Sequence, residues 1–285
     1  MNDRETVLVT GGAHGLGAGI VRVFARSGVR VRVLDIDPYV DEVSKELRVA
    51  GFDVEASIGD VSDPQVARRW FESCVAECNR VDVLVNNAGQ VRFTPLSADL
   101  ETALQDFDDL WAVNTRAVFI MGRLAADHMA TQGSGHIINI ATDHIHTCGF
   151  PHALDHSDSP NCDWSSAPRR PMGGHQFDVY DSTKWAINGF TQVWSLALRK
   201  RGVRVNSICL GATESQMMHR AIRIGAGRDA TAEEIASWMK ADDVAEVILA
   251  LHREGPAGRT GDNIGIWKDH PLVLPPADPV LNLNR

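Results

Sequence analysis

The sequence predicts an α/β fold: one doubly wound parallel sheet, in a single domain spanning residues 1–285, with one long inserted loop. Three observations carry this expectation. Short apolar, β-branched runs alternate with helical stretches from Thr6 to Val205, the rhythm of strands covered on both faces by crossover helices. A length of 285 residues with 44% hydrophobic content suits one large core better than two small ones. A glycine-rich turn joins the first apolar run to the first helical stretch.

The strands follow in order as Val7-Leu8-Val9, Val29 to Leu34, a weaker run at Asp53 to Ile58, Val81 to Val85, Ile137 to Ile140 and Val203 to Cys209. Leu16 to Ser27 reads as the first helix, stopped by Gly28. Ser62-Asp63-Pro64 supplies a cap and a first-turn proline to a helix reaching Cys78. A further helix runs from Tyr180 to Arg201. After Gly211 the chain turns helical again, interrupted at Ala226-Gly227, with an amphipathic helix at Asp242 to His252 and a last strand at Asn263 to Trp267. Residues from about 270 to 285 form a proline-rich tail.

A formal charge of −9 argues against a broad nucleic-acid or anionic-lipid face, and no apolar run is long enough to span a bilayer. Met1 to Thr10 lacks the features of a secretion signal, so the cytoplasm is the expected location. Cys74, Cys78, Cys148, Cys162 and Cys209 are an odd number without a metal-type spacing, and read as reduced thiols.

Thr10-Gly11-Gly12-Ala13-His14-Gly15-Leu16-Gly17 lies between strand and helix, where it can turn tightly and offer N–H groups to a pyrophosphate; this makes the sheet Rossmann-type. Asp35 ends the second strand, 18 residues after Gly17. A carboxylate there accepts from both ribose hydroxyls and repels a 2′-phosphate, which predicts NAD over NADP. His14 is a contrary hint, being a potential cation beside the phosphates. Asn86-Asn87-Ala88-Gly89 closes the fourth strand with small residues beside a bound ribose. Tyr180 and Lys184 are four apart on a helix and share a face. An ammonium near a phenol draws its pKa toward neutrality, suiting it to exchange a proton with an alcohol or ketone.

These motifs, occurring together and in order from about Thr6 to Ile266, resemble the short-chain dehydrogenase/reductase family. The spacing Thr10-Gly11-x-x-x-Gly15-x-Gly17 is similar to its compact, single-domain members. The resemblance implies that Asp60-Val61 contacts adenine, Asn114 holds a proton-relay water, and Tyr180 and Lys184 are the acid/base pair. It implies that Thr142, standing where the family usually has serine, steadies the substrate oxygen; because β-branching restricts the threonine rotamer, Asp143 or His144 are candidates to share that work. It also implies that Gly211, Thr213 and Ser215 hold the nicotinamide end, and that the enzyme is a homotetramer or homodimer joined through the helices of Asn114 and Tyr180. Two departures stand out: Leu210-Gly211 replaces the family's Pro-Gly turn, which loosens it, and Lys268-Asp269-His270-Pro271 replaces the usual ending.

Thr142 and Tyr180 are 38 residues apart, well beyond the spacing of the family's compact members, so the resemblance implies a loop of about residues 143–178 inserted beside the site. It holds His144, His146, His152, His156, His175, Cys148 and Cys162, without a four-ligand spacing, so no metal is expected. A polar substrate lid, with Trp164 as cover and Arg169 or Arg170 as an anion clamp, is the favoured reading. The expected function is NAD-dependent hydride transfer on a small alcohol or ketone. An NAD-using lyase or epimerase, or a noncatalytic NAD-sensing scaffold, stays open as an alternative.

Overall fold

The computed structural model describes residues 4–143 and 178–266. The expectations for the inserted loop beyond Asp143, for Trp267 and for the tail lie outside these residues.

The described elements run β1 (Thr6–Thr10), α1 (Gly15–Arg26), β2 (Arg30–Asp35), α2 (Val40–Val49), β3 (Val54–Ile58), α3 (Pro64–Cys78), β4 (Val83–Asn86), α4 (Leu100–Leu110), a π turn (Trp111–Arg116), α5 (Ala117–Gln132), β5 (Gly135–Thr142), α6 (Asp178–Leu198), β6 (Val203–Leu210), α7 (Gln216–Ala226), α8 (Ala232–Ser237), α9 (Ala241–Arg253) and β7 (Asn263–Ile266). The strands form one parallel sheet in the order β3-β2-β1-β4-β5-β6-β7. The order reverses between β1 and β4, which opens a crevice at the C-terminal ends of those strands.

The strands are apolar throughout because both faces are covered. Val7 and Val9 of β1 pack with α1 and α9 residues such as Ile20, Phe24 and Ile248, while Leu8 between them packs with Trp70, Met121 and Trp194 on the other face. The local signals are obeyed. Asp63 accepts from the backbone N–H groups of Gln65 and Val66 at the head of α3, with Pro64 in its first turn, and Asn79 ends that helix with φ 60°.

The N-terminal ends of β5 and β6 carry a buried polar cluster. His136 is 1% exposed on β5, with Nδ1 3.1 Å from the Arg204 guanidinium, Nε2 2.9 Å from the Asn206 amide nitrogen, and its ring stacked on His252 at 5.9 Å. Burial and Arg204 hold the imidazole well below its ordinary pKa. The unfolded chain protonates this histidine below about pH 6.5 and the folded chain does not, so stability is complete above that value and falls beneath it. Urea unfolding compared at about pH 7.5 and about pH 5.5 should show a loss of about 1.4 kcal/mol from this group, absent in His136→Asn. Equal pH slopes in the two proteins would refute the assignment.

Candidate active site

The residues singled out from the sequence converge on the C-terminal edge of the sheet. The β1–α1 turn is closed by Gly11, whose φ of 74° is left-handed and whose N–H donates to the Leu34 carbonyl at 2.8 Å. Gly17, in the first turn of α1, lies against that turn: a Cβ there would sit 1.8 Å from the Gly11 oxygen. Asn87 binds the two segments together, its side-chain amide donating to the carbonyls of Thr10 (3.1 Å) and Gly11 (2.7 Å). The Thr10 hydroxyl accepts in return from the N–H groups of Asn87 and Ala88. Leu16 points into the core, so its contribution to this edge is its backbone. Helix α1 has no side-chain cap from His14 and no acidic residue in its first turn, which leaves its N–H groups and dipole for an anion.

Asp35 ends β2 with its carboxylate fixed by two donors: Oδ2 accepts from Ala13 N and Oδ1 from Asp37 N, at 2.8 and 2.9 Å. Asp60 follows β3 and accepts from Ser62 N at 2.8 Å, while Val61 is buried against Leu34 and Trp70.

Asn114 lies in the π turn, wholly buried. Its Oδ1 accepts from Gln90 N at 2.8 Å, and its Nδ2 donates to Gln90 O and to the Thr183 hydroxyl. Thr183 donates in turn to the Tyr180 carbonyl. Thr142, the last residue of β5, hydrogen-bonds through its hydroxyl to the Tyr180 phenol of α6. Lys184 is 5% exposed, donates from Nζ to the Ile140 carbonyl at 2.9 Å, and holds its ammonium 5.8 Å from the Tyr180 ring centre. Gly89 faces this group: a Cβ added there would lie 3.4 Å from Asn114 Oδ1 and 3.6 Å from Lys184 Nζ. A glycine here keeps the chain after β4 in close approach to Asn114 and Lys184.

The model of the short chain dehydrogenase family matches residues 5–150, and that of enoyl-(acyl carrier protein) reductase matches residues 165–266. The chain is a short-chain dehydrogenase/reductase. It is 31% identical to a putative granaticin ketoacyl reductase of Streptomyces violaceoruber, over 76% of this chain and 71% of that one. It is 29% identical to D-threitol dehydrogenase of Mycolicibacterium smegmatis, over 77% and 74%. Among solved structures, a putative NAD(P)-dependent gluconate 5-dehydrogenase of Beutenbergia cavernae with bound NADP superposes with a TM-score of 0.70 at 25% identity, covering 92% of this chain and 94% of that one. The family's nicotinamide-binding, hydride-transferring character therefore extends to this oxidoreductase.

Within this short-chain dehydrogenase/reductase one expectation is corrected. Lys184 does not bring the Tyr180 phenol toward neutrality: burial pushes the phenol above its usual value, Asp181 and Asp143 add to the rise, and Thr142 opposes it. The ammonium is itself lowered to about 8 by burial and is tied to Ile140 rather than to the phenol. The turn after β6 starts from the sheet. Leu210 stays in the sheet opposite Thr142 and Ile266, and Gly211 N donates to Ile266 O at 2.8 Å. Thr213 then donates to the Gly211 carbonyl, and Ser215 caps α7 by accepting from Met218 N.

The sequence reading missed the partners that hold these groups. Gln90 and Thr183 fix Asn114, and a buried chain runs from Asn86 Nδ2 to Asn139 Oδ1 and from Asn139 Nδ2 to Thr191. The doubled asparagine at 86 and 87 was a signal for the latter; nothing in the sequence marks a π turn.

Proposed function

We propose that this oxidoreductase interconverts a small secondary alcohol and its ketone with NAD, Tyr180 being the acid/base group. The observation that carries the reading is that Tyr180 meets both Thr142 and Lys184, while Lys184 and Asn114 both lie beside Gly89. In oxidation the Tyr180 phenolate oxygen takes the hydroxyl proton of a substrate whose oxygen the Thr142 hydroxyl steadies. Bound NAD supplies the hydride acceptor, and NADH the donor in reduction. Lys184 and the backbone of the π turn at Asn114 maintain the proton path, since the Asn114 side chain is spent on Gln90 and Thr183.

The glycine turn Gly11, His14, Gly15, Leu16 and Gly17 holds the pyrophosphate through backbone N–H groups. Asp60 and Val61 lie at adenine, Asn87, Ala88 and Gly89 at ribose, and Gly211, Thr213 and Ser215 at the nicotinamide. Support for NAD comes from charge. Asp35 and Asp37 stand together at the end of β2, and the His14 imidazole, 2.8 Å from Asp37, is engaged there rather than free for a 2′-phosphate. The NADP of the Beutenbergia cavernae neighbour marks the outcome the test must exclude. Fluorescence titration of wild type and Asp35→Ala should show NAD affinity falling at least about tenfold while NADP affinity holds or improves, each tenfold being about 1.4 kcal/mol. Equal losses for both cofactors would sink the preference.

The elevated Tyr180 phenol sets a pH dependence. Oxidation, which needs the phenolate, should accelerate as pH rises. Asp143→Asn removes a negative charge that disfavours the phenolate, so the rising limb of kcat/KM should move to lower pH. An unmoved or alkaline-shifted limb would show that Asp143 does not act on the phenol.

The same reading takes the enzyme as a homodimer or homotetramer associating through α5 and α6. Phe119, Trp185, Val193 and Leu196 on these helices are exposed apolar side chains, and Phe190 stacks on Trp194 beneath them at 5.0 Å.

A further inference from the structure

Helix α7 runs from the glycine turn to the segment after β4. At one end its N-cap Ser215 abuts the glycine turn, where a Cβ on Gly15 would come within 2.7 Å of the Ser215 Cβ. Toward the other end Gly225 faces Phe93 of the segment after β4, with 3.2 Å between its virtual Cβ and the ring.

His14 links that helix to the opposite end of the cofactor site. Its Nε2 lies 2.8 Å from Asp37 Oδ2, its Nδ1 3.3 Å from the Gln216 side-chain nitrogen, and its ring stacks on Tyr39 at 5.0 Å with planes 7° apart. One imidazole thus bridges the Asp37 carboxylate and the Gln216 side-chain amide, one ring nitrogen facing each. Asp37 Oδ1 meanwhile accepts from Tyr39 N, and Asp37 N donates to Asp35. A continuous set of hydrogen bonds thus runs from Asp35 through Asp37 and His14 to the first residue of α7. Gln216 is 202 residues from His14 and lies outside every motif that marks the cofactor site.

We propose that His14 is a positioning residue that ties the adenosine end of the cofactor site to α7, so that filling the adenosine end alone steadies that helix. This rests on the reading of Asp35 and the glycine turn as the dinucleotide site. A ligand that fixes Asp35 and Asp37 fixes the His14 ring against Tyr39, and with it the partner that the Gln216 side chain meets. The two ends are coupled because each holds the imidazole in the same orientation.

ADP-ribose tests this, since it fills the adenosine and pyrophosphate positions without a nicotinamide to touch Thr213 or Ser215. In the full-length wild-type protein, saturating ADP-ribose should slow amide hydrogen exchange across residues 216–226 by about fivefold. Gln216→Ala should bind ADP-ribose as wild type does and lose that slowing, and His14→Ala should lose it as well. A purely structural role for Gln216 would change exchange equally with and without ligand. Slowing that persists in Gln216→Ala, or none in wild type despite ADP-ribose binding, would overturn the coupling. Failure of ADP-ribose to bind wild type at all would instead remove the dinucleotide reading on which the coupling rests.

Discussion

Tyr180→Phe is expected to lower turnover by about a thousandfold, within the range contributed by a positioned acid/base group, while cofactor binding is retained. The change removes one oxygen and keeps the ring, so Lys184 remains bonded to Ile140 and α6 remains packed on β5 and β6. What is lost is the atom that Thr142 addresses and that exchanges the substrate proton. Steady-state rates with a responsive alcohol, alongside a cofactor titration, separate the two effects. Full turnover in Tyr180→Phe would move the proton chemistry elsewhere.

Gly17→Ala should cost the protein both stability and cofactor affinity. The added carbon would meet the Gly11 carbonyl oxygen at 1.8 Å and Asn87 Nδ2 at 2.6 Å, and neither can give way. The first is backbone; the second holds Thr10 and Gly11 in place. Relief requires moving the start of α1 off the glycine turn, which breaks the ring of N–H groups that a pyrophosphate needs. The thermal midpoint should drop by several degrees, consistent with about 1–3 kcal/mol of overpacking in a domain of this size, and NAD binding should become undetectable at concentrations that saturate wild type. Wild-type affinity in a folded Gly17→Ala protein would contradict the close approach.

Much of the fold was legible because its signals are local. The buried strands were readable as unbroken apolar runs, and α3 as a cap, a proline and an amphipathic stretch. The glycine turn, Asp35 and the Tyr180–Lys184 spacing were readable for the same reason: each is set by a few residues adjacent in sequence or one helical turn apart. The illegible parts depend on distant segments meeting. Val29 to Leu34 reads as a strand and is one, but the partners that let its two arginines be buried were not readable: Arg30 donates to the carbonyls of Arg4 and Cys78, and Arg32 pairs with Glu77 and Asp53. The same holds for the link from His14 to Gln216, and for the Tyr180 phenol. Helical spacing places Lys184 beside Tyr180, but burial and two flanking carboxylates decide the direction in which that phenol shifts.

The most direct test of the central claim follows the hydrogen itself. Incubation of the enzyme with NAD and secondary alcohols or polyols deuterated at the carbinol carbon, followed by mass analysis of the nicotinamide, should find deuterium transferred to the reduced cofactor in proportion to ketone formed, and none with Tyr180→Phe. Product formed with no net deuterated cofactor would contradict the account and assign the site to transient oxidation, as in a lyase or epimerase; tight NAD binding with no product from any alcohol would contradict hydride transfer altogether.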